Sequence, residues 1–169
     1  MGLDIKCISK DYEDDDGQIA FDNNCHIGYF GFYDFRNDIV KLYLDLPKID
    51  CLDLLFDNVL GEEDGSVCTL QTYDDGIETK IKKRDKIYYN ELLALKKIYP
   101  KYYSLHALVA HCDCDGEIPT YQCKEMIKPL KQLKIDFAEE ERKRWEEFID
   151  KLVELMEKAV EINGRLLFV

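Results

Sequence analysis

The stretch Ala138 to Val169, AEEERKRWEEFIDKLVELMEKAVEINGRLLFV, decides the fold. Trp145, Phe148, Leu152, Leu155, Ala159 and Ile162 recur at intervals of three and four. One face of a helix over 138–162 is therefore apolar and the rest is charged. Asn163-Gly164 supplies the residues that end a helix, and Arg165 to Val169 reads as a short final strand. A long amphipathic helix that returns at once into a strand needs both a helical layer and a sheet to bury against.

A second helix is predicted from Pro119 to about Leu133. Its stripe is Cys123, Met126, Ile127, Leu130 and Leu133. Pro119 suits the first helical position, and Pro129 inside the run should kink or shorten it. At the other end of the chain Leu3, Ile5 and Cys7 alternate, which predicts a first strand over 3–9. Residues 25–32, CHIGYFGF, carry two glycines and read as an irregular strand or bend. A helix is predicted from Asp34, the N-cap, with Phe35, Ile39, Leu42 and Leu46 on one face and Pro47 as its stop. Residues 48–60 suit another short helix. Residues 66–73 and 77–81 suit a hairpin around Asp74-Asp75-Gly76, and 89–99 a helix ending before Pro100. The pattern is α+β: a small, mostly antiparallel sheet with three or more packed helices, including a long C-terminal one.

At 169 residues, 46% of them hydrophobic, the chain reads as one domain over 1–169 with a core of its own. No apolar run approaches the length that spans a bilayer. Met1 to Lys6 lacks a basic-then-apolar signal pattern, so a cytoplasmic location is expected. Seven cysteines without a secretory signal are expected to be free thiols, mostly buried. Net charge is −12 and uneven. Residues 1–79 hold 19 acidic and 5 basic side chains, a balance of −14, and residues 80–169 hold 16 and 18, a balance of +2. Direct nucleic-acid binding is disfavoured, because phosphates would meet a like charge. The charge serves solubility, or forms an acidic face that engages a basic partner protein.

His111-Cys112-Asp113-Cys114-Asp115-Gly116-Glu117 is the densest run of reactive side chains. As a calcium loop it fails. With Gly116 at the turn, the first and twelfth positions are His111 and Gln122, neither of which supplies the required oxygens. As a zinc site, His111, Cys112, Cys114 and Cys123 offer soft ligands, but C-x-C-x8-C is not a paired knuckle. A reactive thiolate is disfavoured by the flanking carboxylates. The competing reading is a specified turn. There an aspartate caps backbone N–H groups, Gly116 takes a special dihedral, and Glu117 sits by the positive end of the next helix.

Arg36 stands three, four and seven residues before Ile39, Val40 and Tyr43. It is thus a cation on an apolar stripe, in the first turn of the predicted helix, where a cation is mildly unfavourable. Such an arginine needs an anion. Either Asp113 or Asp115 supplies it, or a ligand does. In the second case Tyr29, Phe32, Tyr33, Arg36, His111, Asp113 and Asp115 form a receptor for an anion carrying a flat ring. His26 and His106 show no partner at short range. No phosphate loop, nucleophile elbow or dinucleotide fingerprint is present.

Met1 to Ile5, Gly31 to Arg36, His111 to Pro119 and Trp145 to Val169 together resemble a family of uncharacterised bacterial and phage proteins. Such proteins open on Met-Gly-Leu-Asp-Ile and carry an aromatic-Arg segment, a D-C-[DE]-G turn and a final helix and strand. Residues 47–88 match nothing in that pattern and read as a candidate insertion. The resemblance carries over no catalytic residue. It implies a phage or mobile-element accessory protein that binds host components in the bacterial cytoplasm. The expected function is therefore non-catalytic sequestration of a small anionic, nucleotide-like host molecule, with no cofactor and no metal. The alternatives are an acidic inhibitor of a basic, nucleic-acid-binding host defence enzyme, and a small metal-assisted hydrolase at the HCDCDG turn. Nothing in the sequence gives the oligomeric state.

Overall fold

The computed structural model describes residues 2–9, 24–44, 96–109, 111 and 116–169. In chain order the elements are β1 (Gly2–Ile8), β2 (Cys25–Gly28), α1 (Tyr29–Leu44), α2 (Pro100–Tyr103), α3 (His106–Val109), β3 (Gly116–Pro119), α4 (Thr120–Asp136), α5 (Glu139–Glu161) and β4 (Arg165–Phe168). Contacts divide the chain into two compact units: Met1–Phe35 with Asp113–Val169, and Arg36–Cys112. The short helix expected at 48–60, the hairpin at 66–81 and the candidate insertion at 47–88 lie outside the described residues.

In the first unit four strands form one sheet in the order β2-β1-β4-β3, every neighbouring pair antiparallel. The fold is α+β, as the sequence pattern requires. Strand alternation assigns the two faces. Leu3, Ile5 and Cys7 of β1 align with Ile27 and Cys25 of β2 and with Leu166 and Phe168 of β4. Ile118 of β3 aligns with Leu166, and all these side chains are buried. The other face carries Asp4, Lys6, His26, Glu117 and Arg165. It is tied across strands by the His26–Asp4 contact at 2.7 Å and the Arg165–Glu117 ion pair at 2.6 Å.

Helices α4 and α5 pack on each other, α5 against β1, β2 and β4, and α4 against β3 and β4. The predicted apolar face of α5 is the buried one: Trp145, Phe148, Leu152, Leu155 and Ala159 all lie in the core. Phe35 joins the layers, with its ring 5.3 Å from Trp145 and 5.0 Å from Phe148, both edge-on. Edge contacts of this kind add to simple burial. On the outside Lys131 of α4 pairs with Glu157 of α5, and Lys134 with Asp150 and Glu146.

The end of α5 shows why Asn163-Gly164 stands there. Asn163 takes the left-handed conformation with φ 52°. Gly164 N–H donates to Ala159 O at 2.8 Å and Asn163 N–H to Val160 O at 3.4 Å, the two-bond closure that satisfies the last carbonyls of a helix. Gly164 is needed for a different reason. A Cβ there would run into the Ile8 carbonyl oxygen. The Thr120 hydroxyl also donates to the Gly164 carbonyl, so the end of α5, the end of β1 and the start of α4 meet at one residue.

Three expectations are corrected. Helix α1 starts at Tyr29 rather than Asp34, directly after β2. Asp34 is therefore inside the helix, and its carboxylate pairs with Arg144 instead of capping. Pro119 is the last residue of β3, at φ −71° and ψ 162°, and does not open the helix. Its φ suits either role, and the sheet pairing with Arg165 decides the ψ. Pro129 does not shorten α4, which runs on to Asp136.

In the second unit the described residues are the remainder of α1, residues 96–109 with the short helices α2 and α3, and His111. Residues 96–98 are helical, in the segment expected to be so, and Pro100 opens α2 after Tyr99. The Lys101 ammonium lies 5.6 Å from the centre of the Tyr43 ring, and Lys96 lies 5.1 Å from that of Tyr103.

Candidate functional site

Because α1 begins at Tyr29, four of the candidate residues share a helical stripe. Tyr29, Phe32, Tyr33 and Arg36 stand at i, i+3, i+4 and i+7 of one helix. Their environments differ. Phe32 is fully buried with its ring 6.0 Å from Phe168, so it is a core side chain. Tyr29 and Tyr33 are half-buried, and Phe30, one position off the stripe, is 89% exposed. Arg36 is not in a first turn, as the later helix start would have made it. It is the eighth residue of α1, where the helix-terminus field no longer acts.

Arg36 is 3% exposed, and its Nη1 donates to the backbone carbonyl of His111 at 2.5 Å. This brings the arginine to the first residue of the HCDCDG run, 75 positions along the chain. Asp113 and Asp115, the two candidate counter-ions, lie outside the described residues. Tyr29, Phe32 and Tyr33 belong to the first unit, and Arg36 and His111 to the second.

Beyond the turn, Gly116 has φ 122°, a conformation that an L side chain adopts only under strain. The special dihedral expected at Gly116 is therefore present. Glu117 is not at a helix start. It lies in β3 and pairs with Arg165 of β4.

The thiols expected to be free and mostly buried are so where described. Cys7, Cys25 and Cys123 are free and buried. Burial pushes Cys25 and Cys123 up to about 12 and also raises Cys7. Cys123, a candidate zinc ligand, instead points its Sγ at the Ile118 carbonyl, 3.5 Å away. Among the described residues no group of three His, Cys, Asp or Glu side chains is placed to hold a metal ion.

Both histidines without a short-range partner have one in space. His26 Nδ1 meets Asp4 Oδ1 on the neighbouring strand, at the position directly opposite. A Cβ at Gly2 would strike the His26 ring, so the glycine leaves that ring its seat. His106 is buried and its Nδ1 lies 3.2 Å from the Tyr102 hydroxyl, one helical turn earlier in sequence. Burial lowers the His106 pKa to about 4, so it is neutral at pH 7. The Tyr102–His106 spacing is a signal that sequence reasoning can use. The cross-strand His26–Asp4 pair becomes visible only once the register is known.

A cavity of about 120 Å³ in the first unit is lined by Asn24, Cys25, Lys151, Glu154 and Leu155. It has room for a few waters, at roughly 30 Å³ each. Lys151 there is held by Glu147 at 2.8 Å. None of the sequence-predicted site residues lines it. Among the described residues no helix is long and apolar enough to cross a membrane. Comparison with protein-family models, curated proteins and solved structures finds no match to this chain.

Proposed function

We propose that this chain is a non-catalytic binding protein that holds a small anionic, nucleotide-like molecule, with Arg36 as the anion anchor and Tyr29 and Tyr33 as the flat surfaces on its stripe. The observation that carries the reading is the buried Arg36 guanidinium, which spends Nη1 on a neutral acceptor, the His111 carbonyl. A guanidinium presents five donors in a planar fork, the geometry that matches a phosphate or a carboxylate. Arginine in that setting suits phosphate or carboxylate, and the tyrosines suit an attached ring. His111, Asp113 and Asp115 complete the set in this reading. In this reading the bound molecule is a host signalling nucleotide, and the chain is a phage or mobile-element accessory protein that sequesters it.

Native mass spectrometry of the full chain taken directly from cells tests the reading. A co-purifying small molecule that is lost in Arg36→Met supports it. A co-purifying metal ion would point instead to metal-assisted hydrolysis at the HCDCDG turn. A basic protein partner, released steeply as salt rises, would point to the acidic inhibitor.

A further inference from the structure

One histidine on the polar face of the sheet has no part in the site above. His26 of β2 stands directly opposite Asp4 of β1, with its Nδ1 2.7 Å from Asp4 Oδ1. A carboxylate only accepts, so Nδ1 holds the proton and Nε2 keeps its lone pair. The His26 side chain is 64% exposed, whereas His106 and His111 are buried. A pair so open to water adds little to stability.

Two glycines shape the space around the ring. Gly2 and Gly28 face each other across β1 and β2, two residues along from Asp4 and His26 and on the same face. A Cβ at Gly2 would stand 2.6 Å from His26 Nε2, so that edge of the ring lies over the glycine. Gly28 is different. A Cβ there would meet nothing within 4 Å, and its φ is not positive. Neither packing nor backbone conformation calls for glycine at this position, and glycine inside a strand marks a place that something else approaches closely. Side chains at directly opposite positions start about 4.5–5.5 Å apart, so the open space over Gly28 adjoins Nε2. Tyr29, the next residue, begins the helix α1, whose first turn holds no acidic side chain. The positive end of a helix favours an anionic group there over a cation.

We propose that His26 Nε2 is a phosphoryl-acceptor site, with Asp4 as its positioning residue and Gly2 and Gly28 leaving room for the incoming group. The donor is a small phosphoryl compound with a good leaving group, an acyl phosphate or a phosphoramidate. With phosphoramidate the Nε2 lone pair attacks phosphorus, a new N–P bond forms, and the old P–N bond breaks with its electron pair leaving on ammonia. The proton stays on Nδ1. The ring becomes an imidazolium, and the Asp4 carboxylate stabilises that charge as it does in other oriented histidines. The site lies in the first unit and does not depend on Arg36.

The test incubates the full chain with phosphoramidate at neutral pH and follows it by phosphorus NMR and by peptide mass mapping under alkaline conditions, which preserve the N–P bond. The wild type is expected to take one phosphoryl group, on His26 Nε2, faster than N-acetylhistidine does under the same conditions. Asp4→Asn is expected to slow labelling by about 10- to 100-fold, the scale on which the carboxylate partner of a metal-ligating histidine acts. Asp4→Ala is expected to do the same, and covers the case in which asparagine keeps the bond to Nδ1. Both variants should keep the wild-type urea midpoint to within the small worth of an exposed pair, so a lower rate is not a loss of fold. A wild type that reacts no faster than N-acetylhistidine, a phosphoryl group on another residue, or Asp4 variants that react as fast as wild type would overturn the proposal.

Discussion

Arg36 Nη1 donates to the carbonyl oxygen of His111 at 2.5 Å, joining the middle of α1 to the head of the HCDCDG run. The bond is buried and charge-assisted, and it fixes the one residue of that run described before Gly116. A charge-assisted bond of this kind is worth about 1.5–3 kcal/mol.

Arg36→Met should therefore cost about 1.5–3 kcal/mol if the His111 carbonyl is all that it leaves without a donor. A loss of about 3–5 kcal/mol would mean that a buried carboxylate is stranded as well. Combining Arg36→Met with Asp113→Asn or Asp115→Asn in a double-mutant cycle identifies which one, by urea unfolding.

Trp145→Ala should cost about 3–5 kcal/mol. Trp145 is 5% exposed, edge-on to Phe35, and covered by the Arg144 guanidinium at 4.4 Å. Urea unfolding followed by circular dichroism reads the loss. A cost under about 1 kcal/mol would place the residue at the periphery.

Gly164→Ala should destabilise by about 1–3 kcal/mol or more, because the added methyl meets a backbone oxygen that cannot rotate away. Asn163→Gly should be close to neutral, since glycine adopts the same left-handed conformation freely. Thermal melts of the two variants separate the effects: a large loss at Gly164 with little at Asn163.

His106 makes stability fall on the acid side. Its folded pKa is about 4 against an ordinary value of 6.5, so between those values the unfolded chain binds more protons. The contribution is fully present above pH 6.5 and is lost as pH falls towards 4, by at most about 1.4 kcal/mol per unit. The difference in urea midpoint between wild type and His106→Gln should be constant above pH 6.5 and shift in the variant's favour as pH falls below it, with the variant showing the shallower slope.

Thiol reagent should find all seven cysteines in denaturant. In the native protein Cys7, Cys25 and Cys123 should react far more slowly, because burial both hides them and raises their pKa. Mass mapping of labelled peptides identifies them. Rapid native labelling of Cys123 would contradict its contact with the Ile118 carbonyl.

The parts of this fold that read directly from sequence are those where periodicity is long or punctuation is strong. Helix α5 has more than twenty residues of consistent phase, and Asn163-Gly164 ends it. β1 alternates without interruption. The start of α1 was not legible, because Gly28 and Gly31 among aromatics look like a bend and glycine disfavours a helix by about 1 kcal/mol. Packing overrides that preference. At Gly31 a Cβ would stand 3.1 Å from Ile27 Cγ1, so the missing side chain lets the first turn fit beside β2. β3 was hidden for a related reason. Four residues ending in proline give too little alternation, and proline is tolerated there because β3 lies at the sheet edge.

At the candidate site Arg36 was legible because a cation on an apolar stripe is a local contradiction, visible without coordinates. The shared stripe with Tyr29 and Tyr33 was not, since it depends on where α1 begins.

The strand order β2-β1-β4-β3 has a consequence for how the protein is made. β1 leaves the ribosome more than 150 residues ahead of β4. Among the described residues β3 borders only β4, and until β4 emerges β1 has only β2 to pair with. The sheet of the first unit is therefore completed only once residue 168 is free of the exit tunnel. Residues 36–112 lie wholly between the two halves of that unit in sequence. Until then β1 lacks its β4 partner, and α5 lacks the part of the sheet that β4 supplies. Closing so long a loop is slow, which makes the interval between the emergence of β1 and that of β4 a period of exposure to aggregation or to chaperone capture.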